Sequence, residues 1–288
     1  MATPLQLAAN SVTVRYGREF CSYGLRNNIS CIPVDDVRTI LCYAPQFSLN
    51  FEQVEIERSN EHEAHLIEAP ILVPFPPDGV ESPQVLDLGS GTGIWCSKVL
   101  DDHENGECEA CVTHTPWRFR RAANVPQITG IDIFDCDKDF VDASEYNKLS
   151  HDLNEPLSRS GLRRDVFHLI NSRCLANGIN TGRWPSLVEE CWELLVPGGW
   201  LQMVEPLWVF QSGKSRNLPC LMAWQVHYAN AQERMGRNPR VDSNLLFGCM
   251  SKAGFGRIKS ETREVPAAGW KDGMFDLIRM PFLGRIRG

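Results

Sequence analysis

Asp87 stands two residues ahead of three glycines at alternate positions, Gly89, Gly91 and Gly93, with Ser90 between the first two. Glycines placed this way let a chain turn tightly and bring main-chain N–H groups against a ligand at a helix N-terminus. Their spacing is tighter than the G-x-G-x-x-G that makes room for a pyrophosphate. An acid at Asp87 would repel a diphosphate and suits a ligand carrying an ammonium group. Asp132, followed by Ile133, ends a second apolar run. A carboxylate at the end of a second strand accepts both hydroxyls of a ribose. Asp132 lies much further from Asp87 than the usual ~20 residues, and removing the polar stretch 103–124 restores an ordinary separation.

The elements that must hold these residues are legible from periodicity. Val85 to Leu88 has no polar face and reads as a buried parallel strand. Ile94 to Asp102 repeats apolar residues at i,i+4 (Trp95 and Val99, Cys96 and Leu100), which predicts a helix packed on a sheet. Ile128 to Ile133 is the second strand, Leu149 to Asn154 contains the end of a third, and Asp165 to Asn171 is the fourth, with Ser172 and Arg173 beyond it. Trp184-Pro185 opens a helix ended by Pro197-Gly198-Gly199. Trp200 to Val204 is the fifth strand, closing on Glu205; a helix over Leu245 to Ala253 stops at Gly254, and Arg257 to Val265 alternates as a final strand. The order predicts an α/β fold with a doubly wound, mostly parallel sheet. Ligands then lie beyond the carboxyl ends of the strands where the winding reverses, so Asn171 to Asn177 faces the reacting group.

Pro70, Pro74, Pro76 and Pro77 break the chain and divide an N-terminal cap or extension, 1–80, from the sheet-bearing domain, 81–288. Within the first part, Tyr16-Gly17-Arg18 and Tyr23-Gly24-Leu25-Arg26 repeat an aromatic–glycine–basic pattern, either a mobile arm or a solvated extension, and Asn50 to Leu72 has helical spacing. The insertion 103–124 holds Cys108 and Cys111 with His103 and His114 nearby. Three readings stay open for it: an ordinary loop, a zinc loop or a retained intron. No second ligand pair confirms a metal, and none is assigned.

Composition narrows the function. The chain has 288 residues, 43% hydrophobic and 23% charged, and a net charge of −7. That acidity argues against nucleic acid as a partner. No signal peptide or membrane-spanning run is visible. Eleven cysteines, an odd number, read as reduced thiols of a cytoplasmic or nuclear protein. Trp208, Phe210, Trp224, His227 and Tyr228 line either an apolar pocket or a core patch.

The block Val85 to Gly93 resembles motif I of the class I S-adenosylmethionine-dependent methyltransferases, with the Rossmann-like fold that this implies. A longer set of blocks resembles the fungal LaeA-like methyltransferases of secondary metabolism: Pro33-Val34-Asp35-Asp36, Leu86 to Trp95, Gly130-Ile131-Asp132, Val196 to Trp200, Gly236-Arg237 and Ala253-Gly254-Phe255 with Pro266 and Gly269-Trp270. The resemblance implies S-adenosyl-L-methionine as cofactor. Its amino-acid end would meet Asp87 and the turn Gly89, Ser90, Gly91 and Gly93; its ribose, Asp132 and Ile133; its adenine, Asp152 and the Leu153 N–H. Asn171 completes the expected set.

The implied activity is methyl transfer to a small molecule. The alternative is a cofactor-binding regulator of secondary-metabolite gene expression that acts through a protein partner. The chain departs from the family in carrying Phe167-His168 where Phe-Asp is usual, Asn171-Ser172-Arg173 where His-x-Arg is usual, and a short tail after Trp270 that leaves the last antiparallel strand in doubt. The Asn/Asp-Pro-Pro-Tyr/Phe signature of amide and nucleobase methylation is absent. No catalytic residue is assigned: His151, His168, His227 and Glu205 are all conceivable bases, and the acceptor atom is open.

Overall fold

The computed structural model describes residues 12–15, 18–27, 71–91, 93–105, 125–133, 146–209, 219–262 and 279–285. The helical spacing before residue 71, the insertion beyond residue 105, Phe210 and the blocks at Pro33 to Asp36 and Pro266 to Trp270 lie outside the described residues.

A short hairpin, β1 (Val12–Arg15) and β2 (Arg18–Cys21), leads into a one-turn helix, α1 (Ser22–Arg26). The main sheet starts with β3 (Gln84–Leu88), followed by α2 (Ile94–Asn105), β4 (Gln127–Asp132), β5 (Asn147–Ser150) and β6 (Phe167–Arg173). Next come α3 (Trp184–Leu194), β7 (Leu195–Pro206), α4 (Pro219–Arg234), α5 (Ser243–Ala253), β8 (Lys259–Ser260) and β9 (Arg279–Arg285). The seven strands run in the order β5-β4-β3-β6-β7-β9-β8. The first five are parallel, and β9 is antiparallel to both its neighbours. This is the doubly wound sheet expected, with the winding reversing between β3 and β6.

Three expectations change. The chain end, read as a short tail, supplies the antiparallel strand: β9 pairs with β7 from Trp200↔Arg285 to Pro206↔Arg279. Pro281 and Gly284 hid it, because both weaken a strand pattern. The predicted strand Arg257 to Val265 contains only the two residues of β8 within the described part. Finally, α3 ends at Leu194, and β7 begins at once. The Pro197-Gly198-Gly199 segment lies inside β7, where the pairing jumps from Phe167↔Leu195 to Leu169↔Trp200. The glycines therefore form an irregularity in the strand that lets it leave the helix and rejoin the sheet.

Two apolar cores cover the two faces of the sheet. One joins Leu86, Leu88, Ile131, Ile170, Leu201 and Met203 to α3 and α5. The other joins Val85, Ile128, Leu169 and Trp200 to Trp95, Cys96 and Val99 of α2, and also takes in Val73 and Phe75 from the proline-rich segment. Alternate residues of each strand thus face opposite cores. Burying side chains of this size contributes roughly 1.5–3 kcal/mol each. α5 is closed at both ends: the Asp242 carboxylate accepts from the N–H groups of Asn244 and Leu245, and Gly254 takes the left-handed C-terminal position.

The glycine turn is locked to β4 and α2. The N–H groups of Gly89 and Ser90 both donate to the Ile131 carbonyl, at 2.8 and 3.1 Å, and the Gly93 N–H donates to the Ser90 carbonyl at 2.8 Å. Gly93 has φ +82, and a Cβ there would lie 1.9 Å from the Tyr146 hydroxyl. Backbone conformation and space both exclude a side chain. Gly93→Ala should therefore lower unfolding stability by about 2 kcal/mol or more, measured by urea titration. A change below about 0.5 kcal/mol would show that Tyr146 does not prop the turn as described.

Candidate functional site

The carboxyl ends of β5, β4, β3 and β6 form one continuous edge, and the acids singled out in the sequence lie along it. Asp132 ends β4 in register with Ser150 of β5. Its Oδ2 accepts from the Gly91 N–H at 2.9 Å, so acid and turn are held together. A Cβ at Gly91 would meet nothing within 4 Å, although φ is +54. The middle of the turn therefore faces open space, with room for a ligand against the backbone. Ser90 and Ile133 are half-buried beside it.

Asp152 follows β5 by two residues and is buried. Its Oδ1 accepts from the backbone and side-chain N–H groups of Asn154, at 2.9 and 3.1 Å. Its Oδ2 accepts from the Tyr23 hydroxyl at 3.2 Å. The aromatic–glycine–basic segment at Tyr23 is therefore fastened to the acid expected at the adenine end. Leu153 is buried next to it.

Asp87 is also buried, on the α2 face of the sheet. Its Oδ1 accepts from Asn171 Nδ2 at 2.7 Å, and its Oδ2 lies 3.5 Å from the Cys96 thiol. Asn171 Oδ1 accepts from Gln202 Nε2 at 2.9 Å and from Arg173 Nε at 3.3 Å. Gln202 Oε1 in turn accepts from the Leu72 N–H at 2.7 Å. Strand register explains the alignment: Asp87 pairs with Asn171, and Asn171 with Gln202. Burial together with the Asp87 charge pushes the Cys96 thiol well up, so it is a neutral neighbour. Asn171 was expected to contact the ligand. It is fully buried, and its amide is committed to Asp87 and Gln202. The structure places it beneath the Asp87 carboxylate.

Spacing did not reveal the groups that brace the loop after β5. Arg183, nine-tenths buried, forms a two-pronged ion pair with Glu190 of α3, at 2.6 and 2.7 Å. The same guanidinium donates to the carbonyls of Leu153 and Glu155, at 2.8 and 3.0 Å. Burial alone would push the Glu190 carboxyl up. The Arg183 hydrogen bonds, the Leu157 N–H and the Arg183 charge outweigh it and hold the carboxyl below its ordinary value. Asn154 adds a second brace, donating to the Gly178 carbonyl and accepting from the Asn180 N–H.

Of the conceivable bases, Glu205 and His168 are spoken for elsewhere. Glu205 is fully buried and accepts from the N–H groups of Leu175 and Ala176, so it caps the loop beyond β6. His168 lies at the opposite end of β6, where its Nδ1 accepts from the Gln84 N–H and burial pulls its imidazole down. His227 is exposed on α4. His151 is buried beside Asp152, and its main-chain N–H donates to the Asp132 carbonyl at 2.9 Å. Trp208, Trp224 and Tyr228 form one aromatic cluster, with Trp224 and Tyr228 stacked at 5.2 Å. The Tyr228 hydroxyl donates to Asn177 Oδ1 at 2.8 Å, which fixes the cluster beside the loop after β6. Among the described residues no group of His, Cys, Asp and Glu is arranged to hold a metal, and no helix is long and apolar enough to cross a membrane. Cys96, Cys191 and Cys249 are buried free thiols, and burial pushes Cys191 up to about 12.

No family model matches the chain. It is 28% identical over 202 residues to the methyltransferase pytC of Aspergillus terreus, covering 69% of this chain and 53% of that protein. It is 25% identical over 192 residues to the secondary metabolism regulator LAE1 of Gibberella fujikuroi, covering 66% and 54%. The chain thus spans about half the length of the curated relatives it matches. Among solved structures it is similar to phosphoethanolamine N-methyltransferase 2 of Haemonchus contortus in complex with S-adenosyl-L-methionine, with a TM-score of 0.51 and 13% identity over 89% of this chain and 62% of the other. The fold is that of the class I S-adenosylmethionine-dependent methyltransferases, and the chain resembles the LaeA-like group among them.

The Arg183–Glu190 pair sets an acid limit on the site. A carboxyl held low in the folded state stabilises it above the unfolded value, ~4.3, and this contribution is lost as pH falls through the lower folded value. Glu190→Gln should cost about 2–3 kcal/mol at pH 7, with the gap to the unaltered protein closing below about pH 4. A pH series of thermal melts checks this, and a gap that persists unchanged at pH 3 would contradict it.

Proposed function

We propose that the chain binds S-adenosylmethionine along the edge formed by β5, β4, β3 and β6 and transfers its methyl group to a small molecule of secondary metabolism. One observation carries the reading. Asp152, Asp132 and the turn above Asp87 lie in that spatial order on adjacent parallel strands, matching the adenine, ribose and amino-acid ends of that cofactor. The residues fit the group: the turn offers main-chain N–H groups and open space at Gly91, and Asp132 stands at its side.

When bound, the cofactor supplies a methyl carbon already activated by a sulfonium. The chain's own contribution is then mainly positioning. Asp132, tied to the Gly91 N–H, takes the ribose diol while keeping the turn in place. Asp152, oriented by Asn154, takes the adenine amino group, and the Leu153 N–H meets the ring. Arg183 holds the carbonyls of Leu153 and Glu155, so this stretch keeps its shape. Asp87 provides the negative charge for the ammonium end. The Trp208, Trp224 and Tyr228 cluster, fastened to Asn177, forms a wall on the acceptor side. His151 is the candidate base where the acceptor must lose a proton.

The regulator reading has its own support, since relatives matched equally well are named secondary metabolism regulators. Both readings require the cofactor. Calorimetry with S-adenosylhomocysteine on Asp132→Ala and Gly91→Val should show affinity reduced at least about tenfold. Affinities within about twofold of the unaltered protein would remove Asp132 and the turn from the site. Accumulation of one metabolite lighter by a methylene on gene deletion separates the enzyme from the regulator, for which many unrelated metabolites change.

A further inference from the structure

The hydrogen-bonded chain beneath Asp87 begins outside the strands that carry the site. Leu72 belongs to the proline-rich segment, whose Val73 and Phe75 are buried against Val85, Leu169 and Trp200. Its main-chain N–H can only donate. Gln202 must therefore present Oε1 to Leu72 and Nε2 to Asn171; Asn171 must present Oδ1 to Gln202 and Nδ2 to Asp87. Both amides are fully buried, and the Leu72 N–H sets the polarity of Gln202 in agreement with the Asp87 carboxylate and Arg173 Nε, which set that of Asn171. The chain can end only on an acceptor, which is the Asp87 carboxylate. Two further donors agree: the Cys96 thiol approaches Asp87 Oδ2 from α2, and Arg173 Nε donates to Asn171 Oδ1 from the end of β6.

Resting on the cofactor assignment above, we propose that Gln202 and the Leu72 N–H are positioning groups for the cofactor's ammonium end. They orient Asp87 through Asn171 without touching the ligand. Cofactor affinity then depends on the seating of residues 71–77, a segment that precedes the strand carrying Asp87 and contains none of the expected contacts. If that segment is displaced, the Gln202 Oε1 loses its Leu72 donor, the Gln202 amide is held less firmly against Asn171 Oδ1, and the support beneath Asp87 weakens.

The test separates the backbone donor from the side chain that carries it. Leu72→Pro deletes the N–H, while Leu72→Ala keeps it. Calorimetry with S-adenosylhomocysteine should show Leu72→Pro weakened about tenfold and Leu72→Ala within about twofold. Gln202→Glu, which still accepts from Leu72 but has no donor for Asn171, should fall with Leu72→Pro. Equal affinity for the proline and alanine variants, with the unaltered protein binding, would overturn the proposal alone. Failure of the unaltered protein to bind would overturn the cofactor assignment and this proposal with it. A measurement on the unaltered chain guards against misfolded variants: the side-chain amide resonances of Asn171 and Gln202 in 15N-labelled protein should shift on adding S-adenosylhomocysteine. If they stay unmoved while the protein binds, the chain does not report to the ligand, and the proposal falls.

Discussion

A carboxylate in the middle of a parallel sheet is held only if donors meet it, because burial without partners costs several kcal/mol. Asp87 satisfies this condition through strand register. The rung Val85, Leu169 and Trp200 is apolar and packs on α2. The next rung on the same face, Asp87, Asn171 and Gln202, is wholly polar and internally bonded. One step further along β3 the backbone leaves the sheet as the glycine turn. The site therefore rests on a polar layer set directly on the core, and any slip of β6 or β7 against β3 would break it.

From that layer the rest of the edge follows. The turn is fixed to the Ile131 carbonyl, Asp132 to the turn, and His151 to the Asp132 carbonyl, so three successive strand ends are joined by short bonds. The loop after β5 is braced from below by Arg183 and across by Asn154, while Tyr23 reaches Asp152 from the N-terminal segment. On the other side, Glu205 caps the loop beyond β6, whose Leu175 packs over Gly89. Rigidity of this kind suits a reaction whose catalysis comes from holding two partners in line.

The strand–turn–helix and its acids were legible because the necessary residues are neighbours in sequence: Asp87 with its glycines, and Asp132 at the end of an apolar run. What escaped involved partners distant in sequence. The place of Asn171 in the layer beneath Asp87 was not legible, since Gln202 becomes its neighbour only through the pairing of β6 with β7. Arg183 and Glu190 carry no spacing signal of their own; their pair brackets the first turns of α3 and acquires its role only when the loop after β5 folds onto it. α4 gave no clear signal because Met222, Trp224 and Val226 are exposed, and the helix therefore lacks a single apolar stripe. β9 was masked by its proline and glycine, though it completes the sheet.

The central claim is that a polar layer under Asp87 and the acids beside it form one cofactor site. A crystal structure of the chain with S-adenosylhomocysteine tests it most directly. The account predicts the ribose diol on Asp132, the adenine amino group on Asp152 and the ammonium end at the turn above Asp87, with the bonds from Leu72 through Gln202 and Asn171 to Asp87 intact. A ligand bound with its ribose away from Asp132, or seated while that chain of bonds is broken, would contradict it.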